Sequence, residues 1–211
     1  MLKFKLLLAI FIASFISSAM ADEEINYSLN LKNWNSKISG CCVYPAANGT
    51  IVSGTAKKGD YFATASFLLP MAYIRSDGSY SNRRDADFAL GWSMNSNISF
   101  LGGAKRIGSS SYDFSGSNTS ITPNVMNITY LGVNGFSSLS EKTYVYGTAL
   151  RSLKVTQTGD HSTTTFYSYE AGLGYLLEKN LQLSAGFRSQ HVDNTDKTTL
   201  EGVIFGLGYN F

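Results

Sequence analysis

The chain closes on TLEGVIFGLGYNF, Thr199 to Phe211, and the alternation in that stretch decides the fold class. Val203, Phe205, Leu207, Tyr209 and Phe211 fall on one parity, with Gly202, Gly206, Gly208 and Asn210 on the other. Side chains alternate across a β-strand, so period two makes one face apolar and the other small or polar. An apolar face running to a terminal aromatic fits a strand whose outer side meets lipid.

The same pattern recurs upstream. Ile25 to Ile38 sets Ile25, Tyr27, Leu29 and Leu31 against Asn26, Ser28, Asn30, Lys32 and Trp34. Tyr61 to Leu69 alternates likewise, and Pro70 marks an edge, bulge or exit. Ala86 to Met94 turns through Asn95-Ser96-Asn97 into Ile98 to Ile107. A register centred on Ser96 predicts Trp92 opposite Phe100 and Asp87 opposite Lys105. Thr163 to Leu176 turns at Glu178-Lys179-Asn180 into Leu181 to His191, which sets Glu170 opposite Arg188. In the hairpin of Val125 to Phe136 and Thr143 to Val155, Met126, Ile128 and Tyr130 are expected outside with Tyr144, Tyr146 and Leu150. That arrangement leaves Arg151 inside.

Thr50 to Ala56 is a weak strand before a tight turn at Lys57-Lys58-Gly59-Asp60. The stretches 40–48, 76–84, 108–124, 156–162 and 192–197 read as loops. The expectation is an all-β, closed antiparallel up-and-down transmembrane β-barrel of ten strands. If 50–56 is loop, eight is the alternative. A hydrocarbon environment forces closure, because every backbone N–H and C=O there needs a partner. A soluble sandwich shares some of the composition, but not the aromatic-rich apolar parity.

The start of the chain carries an address. Lys3 and Lys5 precede an apolar run from Leu6 to Ile16, and Ala19 and Ala21 occupy the small positions of an A-x-A cleavage site. This predicts a signal peptide over 1–21 and a barrel domain over 22–211. The run is too short for a membrane anchor. Removing it takes two lysines and no acid from the 17 Lys+Arg and 15 Asp+Glu, so the mature chain balances. No basic stripe remains to suggest nucleic acid.

The leader, the alternation and the C-terminal Phe211 make the chain resemble the small bacterial outer-membrane barrels loosely grouped as OmpA-like or OmpW-like. The resemblance implies a Gram-negative outer membrane as location and its lipid as surroundings. It also implies that the barrel-assembly machinery reads the terminal strand, through Leu207, Tyr209 and Phe211. Such barrels include pores, adhesins, membrane-stabilising proteins and a few enzymes, so activity stays open.

Six charges are expected inside: Lys32, Asp87, Lys105, Arg151, Glu170 and Arg188. They read as an ion-pair network bracing a narrow lumen, or else as a conduction path for small solutes. His161 and His191 lie at outer strand ends near serines. A serine nucleophile needs an imidazole in reach and a third group to orient it. No convincing lipid A deacylase pattern accompanies them, and no omptin-like set of aspartate pairs with a rim histidine. Cys41 and Cys42 are adjacent in an oxidising compartment and read as a loop feature, with a strained vicinal disulfide as one form. Neither a metal site nor a cofactor is expected. The leading expectation is a non-enzymatic barrel, structural or a narrow channel. Surface recognition through loops such as 108–124 is the alternative, and a rim enzyme acting on lipid or peptide follows it.

Overall fold

The computed structural model describes residues 24–39, 44–74, 79–115, 118–158, 164–193 and 197–211. Cys41, Cys42, His161 and the leader with Ala19 and Ala21 lie outside these residues. The described residues form ten strands and no helix. The first five are β1 (Asn26–Ser39), β2 (Tyr44–Lys58), β3 (Tyr61–Ile74), β4 (Tyr80–Ser93) and β5 (Ile98–Ser115). The second five are β6 (Asn118–Ser138), β7 (Thr143–Gln157), β8 (Thr165–Leu176), β9 (Leu181–Asp193) and β10 (Thr198–Asn210).

Each strand pairs antiparallel with its sequence neighbours, and β10 pairs with β1 to close the barrel. The C-terminal stretch is therefore the closing seam, with Leu207 beside Leu31 and Tyr209 beside Leu29. Every strand among the described residues therefore has a neighbour on both sides, and none is left as a sheet edge. The Phe211 N–H donates to the Tyr27 carbonyl at 2.8 Å and fastens the chain end.

The short turns lie at one end of the barrel with the C-terminus. Gly59 takes φ 54°, the left-handed conformation that the turn between β2 and β3 needs. Between β4 and β5 the Asn95 side chain accepts from the N–H groups of Asn97 and Ile98, both at 2.8 Å. These turns set the expected registers, Trp92 opposite Phe100 with Asp87 opposite Lys105, and Glu170 opposite Arg188.

The weak segment at 50–56 belongs to β2, so the count is ten. Pro70 sits at a register irregularity in β3, between Leu68 and Met71, and the strand continues to Ile74. Most of 108–124 is also strand, because β5 and β6 remain paired up to Ser115 and Asn118. Polar composition misleads there. Once two strands are paired, a Ser/Asn-rich extension keeps its backbone partners even where side chains have no apolar face to bury.

The parity of the β6–β7 hairpin is the reverse of the expectation. Met126, Ile128 and Tyr130 are buried inside the barrel, and Tyr144 and Leu150 pack inward with them. Arg151 is consequently on the outer wall and exposed, opposite Leu131 and Tyr167. A narrow barrel fills its interior with side chains, so an aromatic is not diagnostic of the outside. Glycine on the facing strand makes the room. A Cβ on Gly91 would run into the Phe62 ring, and one on Gly174 into the Tyr144 ring.

Two apolar clusters fill the interior, one around Trp34, Tyr73 and Ile204 and the other around Phe62, Tyr130 and Phe166. Leu200 and Ile204 are the apolar residues on the otherwise small inner face of β10, and Ile204 pairs with the fully buried Trp34. The exterior exposes Leu29, Leu31, Phe67, Trp92, Leu131, Leu173, Phe187, Phe205 and Leu207. A continuous exposed apolar wall of this kind marks a surface that meets something other than water.

Candidate functional site

The titratable groups gather in the lumen, in two clusters. The first lies near the long-loop end. Arg83 grips Asp85 with a fork, Nε to Oδ1 at 2.8 Å and Nη2 to Oδ2 at 2.6 Å. Lys105 Nζ stands 3.1 Å from Asp85 and 3.4 Å from Asp87. The Tyr130 hydroxyl donates to the other Asp87 oxygen at 2.5 Å.

Arg83 Nη2 also donates to Gln190 Oε1 at 2.5 Å. Strands β4 and β9 stand opposite each other in the ring of ten, so this bond crosses the lumen from wall to wall. Trp34 fills the space beside it, its ring 5.9 Å from the Arg83 guanidinium and 5.7 Å from that of Arg188. Next to Trp34, Ser36 and Tyr73 share a hydrogen bond of 2.6 Å between β1 and β3.

The second cluster is centred on Glu170, in mid-strand on β8. Lys32 reaches it from β1 at 2.6 Å, and Arg188 from β9 at 2.8 Å. A cavity of about 220 Å³ touches both clusters, bordered by Asp87, Tyr130, Lys32, Glu170 and Arg188. The wiring follows from the tight hairpins. Their registers put opposite charges face to face on adjacent strands, and closure through β10 brings Lys32 to the same carboxylate.

Five of the six expected inner charges, Lys32, Asp87, Lys105, Glu170 and Arg188, thus meet in these clusters, and Arg151 does not. Arg83, Asp85 and Gln190 complete them, although no sequence reading singled them out. The polar run 76–84 reads as loop, yet β4 begins at Tyr80 and carries Arg83 and Asp85 inward. The usable signal was the alternation Arg83-x-Asp85-x-Asp87, which extends the inner parity by two positions.

His191 lies on the outer wall. Tyr167 stacks on its ring at 4.6 Å, and its Nε2 is 2.8 Å from Ser189 Oγ and 2.6 Å from the Tyr169 hydroxyl. Thr199 Oγ1 is 3.0 Å from Nδ1. Ser189 is buried beneath this group, only 2% exposed. Asp85 and Asp87 form an aspartate pair, but they and His191 occupy opposite faces of the wall. No cluster of three or more His, Cys, Asp or Glu side chains suited to a metal occurs among the described residues.

With this geometry in view, solved structures supply the comparison. The chain has the fold of the outer-membrane β-barrels. It superposes on the outer membrane protease OmpT from Escherichia coli with a TM-score of 0.53 at 12% identity, over 91% of this chain and 98% of that one. It matches the beta domain of the Bordetella autotransporter BrkA with a TM-score of 0.51 at 10% identity, over 88% and 98%. No protein-family model matches the sequence, and no curated protein matches it. At such identities the likeness concerns the backbone alone, so function is argued from the residues.

Proposed function

We propose that this chain is an integral outer-membrane β-barrel, non-enzymatic, whose lumen is braced shut rather than open to solute flow. The membrane location is supported by the closed barrel, by the apolar outer wall and by the solved structures that share the fold. In this reading residues 1–21 are the signal peptide cleaved after Ala21, and a Gram-negative outer membrane receives the mature chain. The lipid of that membrane surrounds it, and the assembly machinery engages the seam strand at Leu207, Tyr209 and Phe211.

One observation carries the closed lumen. The Arg83–Gln190 bond joins opposite walls beside the fully buried Trp34. A conduction path would have to break a buried, charge-assisted contact and displace an aromatic ring. The test is conductance in a planar bilayer. Wild-type protein is expected to be silent, and an Arg83→Ala/Gln190→Ala variant to give small steady currents. Steady currents from the wild type would reject the closed lumen in favour of a narrow channel.

A second reading rests on the Ser189–His191 contact, the hydroxyl–imidazole pair of a rim hydrolase acting on lipid or peptide. Against it, Ser189 is covered, and the group orienting Nδ1 is the Thr199 hydroxyl rather than a carboxylate. Release of acyl chains or peptide by wild type, lost in His191→Gln, would establish it. Unchanged substrate after prolonged incubation with wild type would remove it.

A further inference from the structure

The outer wall is not uniformly apolar, and its departures from that rule are asymmetric. Arg84 on β4, Arg106 on β5, and Arg151 and Lys154 on β7 all point outward and are exposed. None has a carboxylate partner among the described residues, and no Asp or Glu occupies a described outward position on β4 to β7. Across the barrel the outward cation Lys37 is paired, 3.4 Å from Glu201. Among the described outward strand positions, the unpaired positive charge therefore belongs to one sector.

That sector also contains a groove of about 600 Å³. Small residues make the hollow, Ala86 and Ala104, between the rings of Phe67 and Phe88 and the heads of Arg106 and Lys154. A second hollow of about 410 Å³ borders Arg84. The two shapes of chemistry are thus stacked, with an apolar trough below and unpaired cations above.

Height matters as well. Arg106 is eight residues along β5 from Ile98, which places it about 20 Å from the short-turn end at ~3.3 Å per residue and ~40° tilt. Arg84 and Lys154 come out at about 23 and ~28 Å on the same basis. An apolar band of about 25 Å ends at this level. Here lipid phosphates, and not water alone, are the neighbours of a barrel wall.

We propose that the outer wall of β4 to β7 binds a phosphorylated, acylated lipid of the outer leaflet. Arg106 and Lys154 hold the phosphate, Arg84 stands above as a further donor, and an acyl chain lies along Phe67, Phe88 and Ala104. Guanidinium and ammonium groups suit phosphate oxygens, and no acid competes from the described outward positions of β4 to β7. The proposal rests on the membrane-spanning reading above.

The test refolds the mature protein into nanodiscs of dimyristoylphosphatidylcholine doped with diphosphorylated lipid A. Co-retained lipid after mild detergent extraction is then counted by native mass spectrometry. Wild type is expected to retain diphosphorylated lipid A about tenfold better than the phosphatase-treated form, a ratio matching one charge-assisted contact. Arg106→Gln/Lys154→Gln should lose about the same factor, whereas Arg106→Lys/Lys154→Arg should keep most of the binding. Equal retention of both lipid forms by wild type would overturn the site and leave the membrane reading intact. Failure of wild type to insert, seen as absence of a protease-resistant, heat-modifiable band, would overturn both. Should the Gln variant fold poorly, the comparison of the two lipid forms on wild type decides.

Discussion

The two lumen clusters share one design and differ in their solvent. In each, a carboxylate sits between two cations supplied by other strand positions. Around Asp85 the side chains of Arg83, Asp85 and Lys105 are 6%, 4% and 7% exposed. Around Glu170 the carboxylate is 6% exposed, but Lys32 and Arg188 are 22% and 23%. Trp34 and Tyr73 lie beside the first cluster, which the inner cavity reaches only at Asp87 and Tyr130, whereas Lys32, Glu170 and Arg188 all border that cavity. The same ion pairing is therefore committed in one place and reversible in the other. A charge stripped of its partner can rehydrate beside Glu170 far more readily than beside Asp85.

The sharpest way to break that contrast is Asp85→Ala. It leaves Arg83 without a carboxylate and Lys105 with Asp87 alone, at 3.4 Å, in a dry site, and the expected loss is about 3–5 kcal/mol. Urea unfolding of the refolded barrel in detergent micelles or bilayers would measure it. Leu207→Arg applies the same penalty from outside, placing an unpaired charge on the seam. Its expected cost is about 2–4 kcal/mol if the position lies near the bilayer midplane. An unchanged midpoint would mean that the seam does not face lipid.

Glu170→Gln comes next, with about 1–3 kcal/mol expected from the same denaturant series, because its cations have access to the cavity. A loss equal to that of Asp85→Ala would erase the distinction between the clusters. At the bottom of the scale is Lys37→Ala on the outer wall. Its pair with Glu201 is 3.4 Å long and the lysine is 62% exposed, so about 0–1 kcal/mol is expected. Replacing Phe211 with Asp tests a separate step, since the substituted seam end should lower the yield of assembled barrel in outer membranes.

Much of this organisation was legible beforehand, and the reasons are local. Short turns around Ser96 and Lys179 leave a strand one register, so the Asp87–Lys105 and Glu170–Arg188 pairs follow from counting along the chain. The β6–β7 hairpin resisted the same treatment because apolar residues occupy both of its faces. Tyr130 could point either way until the facing Gly103 and the inward Asp87 chose the inside. The register there also slips by one residue between Thr129 and Tyr130, which period-two counting does not see.

The sequence by itself determined the strand alternation and the two charge pairs carried by tight hairpins. Those depend on contacts between residues close along the chain. Only the tertiary structure decided that Arg83 meets Gln190 across the lumen, that Lys32 shares Glu170 with Arg188, and that Arg151 stands outside. These outcomes depend on closure, which brings strands far apart in sequence to opposite walls of one ring, and on volume. A narrow lumen has room for some large side chains and must exclude others, and no local pattern specifies which.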